Sequence, residues 1–191
     1  HSNTNHWADS SGDINDAKVQ HHNGLTAFGK DVVREMNRLG MMIDISHVAD
    51  KTFFDALEAS RAPIFASQSA RALTNVPRNM TDEMIVALAK KGGVIQVNFN
   101  CGFVSERFRA AQAAENPRLE ARHAAETKGR KLSEMEADFL YERLRREMKL
   151  TRASLGELVE HIDHIRKISG VDAIGIGSDF NGVTCVPEGL D

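Results

Sequence analysis

The sequence has no apolar run near the roughly 20 residues that a membrane-spanning helix needs, so no transmembrane segment is expected within these 191 residues. It has no excess of basic charge either. Twenty-four Lys and Arg stand against 27 Asp and Glu, a net charge of −3 that leaves no positive field to attract nucleic acid. Cysteine is scarce. Cys101 and Cys185 lie far apart with no CxxC partner, and we expect two unpaired thiols in or near the core. The chain also lacks an initial methionine. It opens on His-Ser-Asn-Thr-Asn-His, polar throughout and with no leader signature. From this we expect a segment of a longer protein. Any signal peptide would lie upstream of residue 1, and a periplasmic or secreted location is expected.

What is there suffices for one domain with a core. The composition is 41% hydrophobic and 27% charged, ordinary for a globular protein. We read residues 1–191 as a single domain. Residues 1–25 are irregular, rich in Asn, Asp, Ser, Gly and His, and form either a long functional loop or a poorly ordered end. His1, His6, His21 and His22 fall here, and solvated histidines are a better reading than a metal cluster. A helix follows, capped by Thr26, running to about Leu39 and stopped by Gly40. Residues 41–46 then read as a short buried strand ending on His47. The rhythm repeats three times. Helices near 50–60, 81–91 and 154–169 each precede a strand, near 64–67, 94–99 and 173–178. Between 105 and 150 the chain turns rich in Ala, Glu, Arg and Lys. We read a helical insertion on the rim, broken at Asn116-Pro117 and at Gly129. Recurring helix–strand units predict an α/β fold with a parallel sheet. Four units are half of an eightfold barrel or a small open sheet, and the pattern alone does not choose.

If the strands are parallel, their C-terminal ends share one mouth, where α/β barrels keep their chemistry. His47 ends the first strand and is a metal-ligand candidate, with a hydrogen-bonded core histidine as the alternative. Asp179 ends the Ile-Gly-Ile-Gly-Ser strand, as a general base, a metal ligand or an Asx-turn residue. Arg78, in the loop after the second strand, has the fork geometry to clamp a carboxylate, against the plainer reading of a surface arginine. His161 and His164 share a helix at a spacing of three but have no third ligand, and a structural or exposed role is the better reading.

Six runs carry a resemblance that covers nearly the whole chain. They are Gly24-Leu-Thr-Ala-Phe-Gly-Lys, Val33-Arg-Glu-Met-Asn-Arg-Leu-Gly, Ile43-Asp-Ile-Ser-His-Val, Arg61-Ala-Pro, Pro77-Arg-Asn and Gly175-Ile-Gly-Ser-Asp-Phe. In order and spacing they resemble the membrane (renal-type) dipeptidases, the M19 metallopeptidases, and the 105–150 insertion is similar to one carried by bacterial members. The resemblance implies part of a (β/α)8 TIM-type barrel of the amidohydrolase kind. It also implies dipeptide hydrolysis at two zinc ions bridged by a carboxylate and a water, and a homodimer. By the same resemblance His47 is a ligand of the second zinc and Asp179 handles the proton of the attacking water. Arg78 grips the dipeptide's C-terminal carboxylate, and His1 contacts the substrate and stabilises the tetrahedral intermediate.

The departures from that pattern are specific. The family's first-strand His-x-Asp pair and bridging glutamate would lie before residue 1. Where the family has a Ser-His-Ser-Ser run after the second strand, this chain has Ser67-Gln68-Ser69, and Gln is a poor zinc ligand. Asn181 stands where the family has Asp. A zinc dipeptidase is the expectation for the family. For this chain alone the alternative is a non-catalytic fragment or degenerate homologue that at most binds dipeptide-like carboxylates.

Overall fold

In a computed structural model, the structure describes residues 2–69 and 73–190. The elements run α1 (Ala27–Leu39), α2 (Asp50–Ala59), β1 (Phe65–Ser69), α3 (Asp82–Lys90), β2 (Val94–Val97), α4 (Cys101–Val104), α5 (Glu106–Thr127), α6 (Glu134–Arg146), α7 (Leu155–Ser169) and β3 (Ile174–Ile176). The three strands form one parallel sheet in the order β1-β2-β3, with Phe65 beside Val94 and Ile95 beside Ile174. This is the expected α/β architecture, with α3 covering the β1–β2 crossover and α7 entering β3.

The strand expected over 41–46 shrinks to a single bridge. Asp44 pairs in parallel with Phe65, Ile45 N–H donates to Phe65 O at 2.9 Å and Phe65 N–H to Ile43 O at 3.1 Å. Met41 and Met42 are exposed, so the apolar look of that stretch overstated how much of it lies in the sheet. Ile43 and Ile45 are buried, and they hold the segment against the core.

Helix ends follow the sequence closely. Thr26, Thr81 and Ser154 each accept a bond from a first-turn N–H, and Gly40 closes α1 in the left-handed region at φ 71°. The expected break at Pro117 is absent, and α5 runs through it. Ala113 and Pro117 both lie on the exposed side, so the carbonyl that loses its donor faces water. Gly129, at φ 74°, does end the helical run, and α6 folds back on α5 around Leu119, Leu140 and Leu144.

The two cysteines are not free. Cys101 and Cys185 form a disulfide across 84 residues. Neither carries a motif, which is why spacing alone did not reveal the pair. The parallel pairing of β2 with β3 brings the segments that leave both strands together, and Cys101 N–H also donates to Cys185 O at 3.0 Å. His161 is buried, with Nε2 at 3.1 Å from Val104 O, and His164 Nε2 lies 2.8 Å from Asp82 Oδ1. Both imidazoles bind α7 to its neighbours.

The N-terminal stretch is anchored. Asp9 is buried and accepts from His22 N–H at 2.9 Å and Gly24 N–H at 2.8 Å, while Thr52 Oγ1 donates to Asp9 O at 2.9 Å. Ser10 bridges to Val48, which lays this stretch against the segment that carries His47.

Candidate active site at the strand ends

Polar groups gather where the chain leaves each parallel segment. His47 follows the Ile43–Ile45 pairing, Ser67 and Gln68 sit on β1, Asn98 follows β2 and Asp179 follows β3. His47 and Asp179 both hold the left-handed backbone region, at φ 70° and φ 60°. A non-glycine residue there costs of order 1–3 kcal/mol and persists only where its surroundings fix it. At His47 the fixing groups are visible. Its carbonyl accepts from Ser11 N–H at 2.8 Å, Ser10 Oγ at 2.9 Å and Ser11 Oγ at 3.0 Å. At Asp179 the carbonyl accepts from Gly182 N–H at 2.9 Å, which closes the Asp-Phe-Asn-Gly turn.

The side chains meet through amides. Asn98, fully buried, donates from Nδ2 to Asp179 Oδ2 at 2.9 Å. Gln68, with its amide nitrogen turned toward Asp179, donates to Oδ1 and Oδ2 at 2.8 and 2.5 Å. The other end of that amide lies 3.3 Å from His47 Nε2. In this orientation the oxygen accepts a hydrogen bond from Nε2–H, which assigns the ring proton to Nε2. Gln68 therefore stands between the imidazole and the carboxylate and bonds both.

A second layer sets this geometry. Asp44 accepts from Ser46 N–H at 2.9 Å and Ser67 N–H at 3.2 Å, and from the Ser67 hydroxyl. Ser46 Oγ in turn accepts from Gln68 N–H at 3.1 Å. Burial pushes the Asp44 carboxyl up, but the donors from Ser67 and Ser46 outweigh it and leave it below the usual carboxylate value. Arg78 donates from Nη2 to Gln68 O at 2.7 Å, and its guanidinium carbon lies 5.6 Å from the centre of the Phe103 ring. Burial lowers the Arg78 pKa to about 10, against the opposing pull of Asp179 and Asp44, so the group is still charged at neutral pH. Burial, and then the Arg78 charge, lowers the His47 pKa below the ordinary histidine value.

The structure thus brings His47, Arg78 and Asp179 to one mouth. His1 lies outside the described residues. Sequence reasoning gave no role to Asp44 or Ser46. The signal was their alternation with the apolar Ile43 and Ile45 just before His47.

A metal needs several donors converging on one point. Among the described residues no three His, Cys, Asp or Glu side chains come together in that way. Among the described residues His47 is the single imidazole at this mouth, and an amide separates it from the nearest described carboxylate. The described donors do not fit a metal centre by themselves.

Polar groups converging on the C-terminal ends of parallel strands are the arrangement of α/β-barrel enzymes. The chain belongs to the membrane dipeptidase family, peptidase family M19, whose family model matches residues 1–191. It is 34% identical over 169 residues to "Uncharacterized dipeptidase C965.12" of Schizosaccharomyces pombe, covering 88% of this chain and 31% of that protein. It is 31% identical to "Dipeptidase 3" of Rattus norvegicus, covering 97% of this chain and 29% of that protein. Among solved structures, the probable dipeptidase PvdM from Pseudomonas aeruginosa superposes with a TM-score of 0.75 at 30% identity, over 98% of this chain and 51% of that one. A metallo peptidase from Rhodobacter sphaeroides, liganded with a phosphinate mimic of the dipeptide L-Ala-D-Ala, superposes with a TM-score of 0.61 at 29% identity, over 88% and 37%. The chain thus spans about a third of the length of the curated relatives and about half or less of these structures.

Proposed function

We propose that the protein hydrolyses the peptide bond of dipeptides and that this chain supplies the groups that grip the substrate carboxylate and handle the proton. The observation that carries this reading is the placement of Arg78. Its charged, largely buried guanidinium shares one mouth with the Asp179 carboxylate, which is held from two sides by Asn98 and Gln68. A planar, always-charged fork in a partly dry site is suited to a free carboxylate. Asp179, oriented by two amide donors, takes a proton from an attacking water and passes it to the leaving amine. His1 is assigned the oxyanion, on sequence alone. The likeness to a metallo peptidase liganded with a dipeptide mimic supports the substrate class. Zinc is the metal we assign to the whole site, whose ligand set the described residues do not make up by themselves.

The test is hydrolysis of dipeptides by the full-length protein and by its Arg78→Lys and Asp179→Asn variants. Arg78→Lys raises KM about tenfold or more with a smaller change in kcat, because bidentate recognition is lost. Asp179→Asn lowers kcat by about 10²- to 10⁴-fold. A C-terminally amidated dipeptide is a poor substrate. Equal cleavage of the amide and the free acid would refute the role of Arg78.

The Gln68 amide between His47 and Asp179 favours a second reading, a homologue that binds dipeptide-like carboxylates without turning them over. Micromolar dipeptide binding with no hydrolysis by the full-length protein selects that reading.

A further inference from the structure

Gln68 joins groups that come from opposite edges of the sheet. His47 belongs to the segment that pairs with β1, and Asp179 follows β3, two strands beyond β1. The amide reaches both, at 3.3 Å to His47 Nε2 and at 2.8 and 2.5 Å to the two Asp179 oxygens. Its own backbone is fixed at both polar atoms. The N–H donates to Ser46 Oγ at 3.1 Å, and the carbonyl accepts from Arg78 at 2.7 Å. The side chain is thus launched from a clamped residue and seated between two partners.

We propose that Gln68 is a positioning residue that occupies the place of a second imidazole beside His47 and ties His47 to Asp179 by hydrogen bonds, so that this mouth holds one divalent cation fewer than it would with histidine at position 68. The comparison with histidine rests on the family reading above, whereas the bridge rests on the geometry alone. An amide nitrogen has no lone pair to give a metal, and an amide oxygen is a neutral, weak donor that suits hard cations better than zinc. The bridge also fixes the imidazole. With the amide nitrogen turned toward Asp179, the oxygen faces Nε2 and keeps a proton there, on the nitrogen that faces the mouth. A ring held in that tautomer has no lone pair at Nε2 for an ion.

The experiment uses the full-length protein, stripped with a chelator and titrated with Zn²⁺ alone and with Co²⁺ alone. Wild type, Gln68→His and Gln68→Ala are compared for metal content and for the visible cobalt spectrum. Nitrogen NMR of the His47 ring is recorded on the metal-free forms. Gln68→His takes up one more equivalent than wild type and gains cobalt absorption. Gln68→Ala keeps the wild-type metal content but loses the single protonated-Nε2 signature that wild type shows. Equal metal content and equal cobalt spectra for wild type and Gln68→His overturn the proposal. So does an unprotonated His47 Nε2 in the metal-free wild type. If Gln68→His does not fold, the wild-type and Gln68→Ala spectra decide. None of these readouts depends on turnover, so a failure of dipeptide hydrolysis is separable from a failure of the bridge.

Discussion

The Asp44 carboxylate holds Ser67 twice, by its backbone N–H and by its hydroxyl, although the two residues lie 23 positions apart. The pair joins the Ile43–Ile45 segment to β1 at the point where the sheet gives way to the site. Ser46, also bound to Asp44, takes the Gln68 N–H. Asp44 is therefore the base on which His47 and Gln68 are placed, though its own side chain is bonded to Ser46 and Ser67 and not to either of them.

Replacing Asp44 by Ala leaves the Ser67 N–H and the Ser46 N–H without their acceptor. Asp44 is exposed and its bonds to Ser67 lie at the surface, so their loss costs about 0.5–1.5 kcal/mol. We expect Asp44→Ala to lower the urea unfolding free energy of the full-length protein by that amount. Asp44→Asn keeps one acceptor oxygen and is expected to lose roughly half as much. Equal stability of Asp44→Ala and wild type would show that water replaces the carboxylate at no cost.

Gly177 follows β3 and donates to Val97 O at 3.1 Å. A methyl group there would lie 2.0 Å from Ser67 O and 2.7 Å from Gln96 Cβ, so backbone must move. Overpacking of this kind costs about 1–3 kcal/mol. Because the displaced carbonyl belongs to Ser67 and Asp179 is two residues on, Gly177→Ala is expected to lower both the melting temperature and the affinity for dipeptides. A melting temperature within a degree of wild type would show that β3 can slide aside.

Much of the fold was legible in the sequence. The cap at Thr26, the helix starts near 81 and 154 and the stops at Gly40 and Gly129 are local events decided by neighbouring residues, and they lie where the pattern put them. What was not legible depends on distant partners. Met41 and Met42 read as strand by hydrophobicity, but a strand needs a neighbour to pair with, and only Asp44 bridges to β1. Pro117 read as a break, but its helix is exposed at that turn. At the site, His47, Arg78 and Asp179 stood out by residue type and place. The Gln68 bridge did not, because its two partners come from segments 21 residues before it and 111 residues after it.

The Cys101–Cys185 disulfide closes a loop of 84 residues that contains α5, α6 and α7. Loop-closure entropy makes such a link worth roughly 2–4 kcal/mol, with the chain-entropy model giving somewhat more for a loop this long. Peptide mapping of the unreduced full-length protein is expected to yield one cross-linked fragment joining the two cysteines. The Cys101→Ala, Cys185→Ala double variant is expected to unfold at lower urea, with a loss of about 2–4 kcal/mol. Recovery of both cysteines as alkylated thiols from protein handled without reductant would refute the link.

Glu157 serves two helix starts at once. It accepts from Ser154 N–H at 2.7 Å and Ser154 Oγ at 3.0 Å in the capping box of α7, and from Ser105 Oγ, the N-cap of α5, at 2.5 Å. Burial raises its pKa, but the bonds from Ser105 and Ser154 outweigh it, and the folded value lies below the ordinary carboxylate value of 4.5. A carboxylate depressed in the folded state adds stability that is fully present above its unfolded value and is lost as pH falls through its folded value. Glu157→Gln is therefore expected to cost about 0.5–2 kcal/mol at pH 7, the range for a lost cap. That difference shrinks toward zero as the pH is taken from 5 down through the acid range. Urea midpoints of both proteins across that range check the sign. A gap that stays constant down to pH 3 would mean that the shape of the side chain, and not its charge, holds α7 to the start of α5.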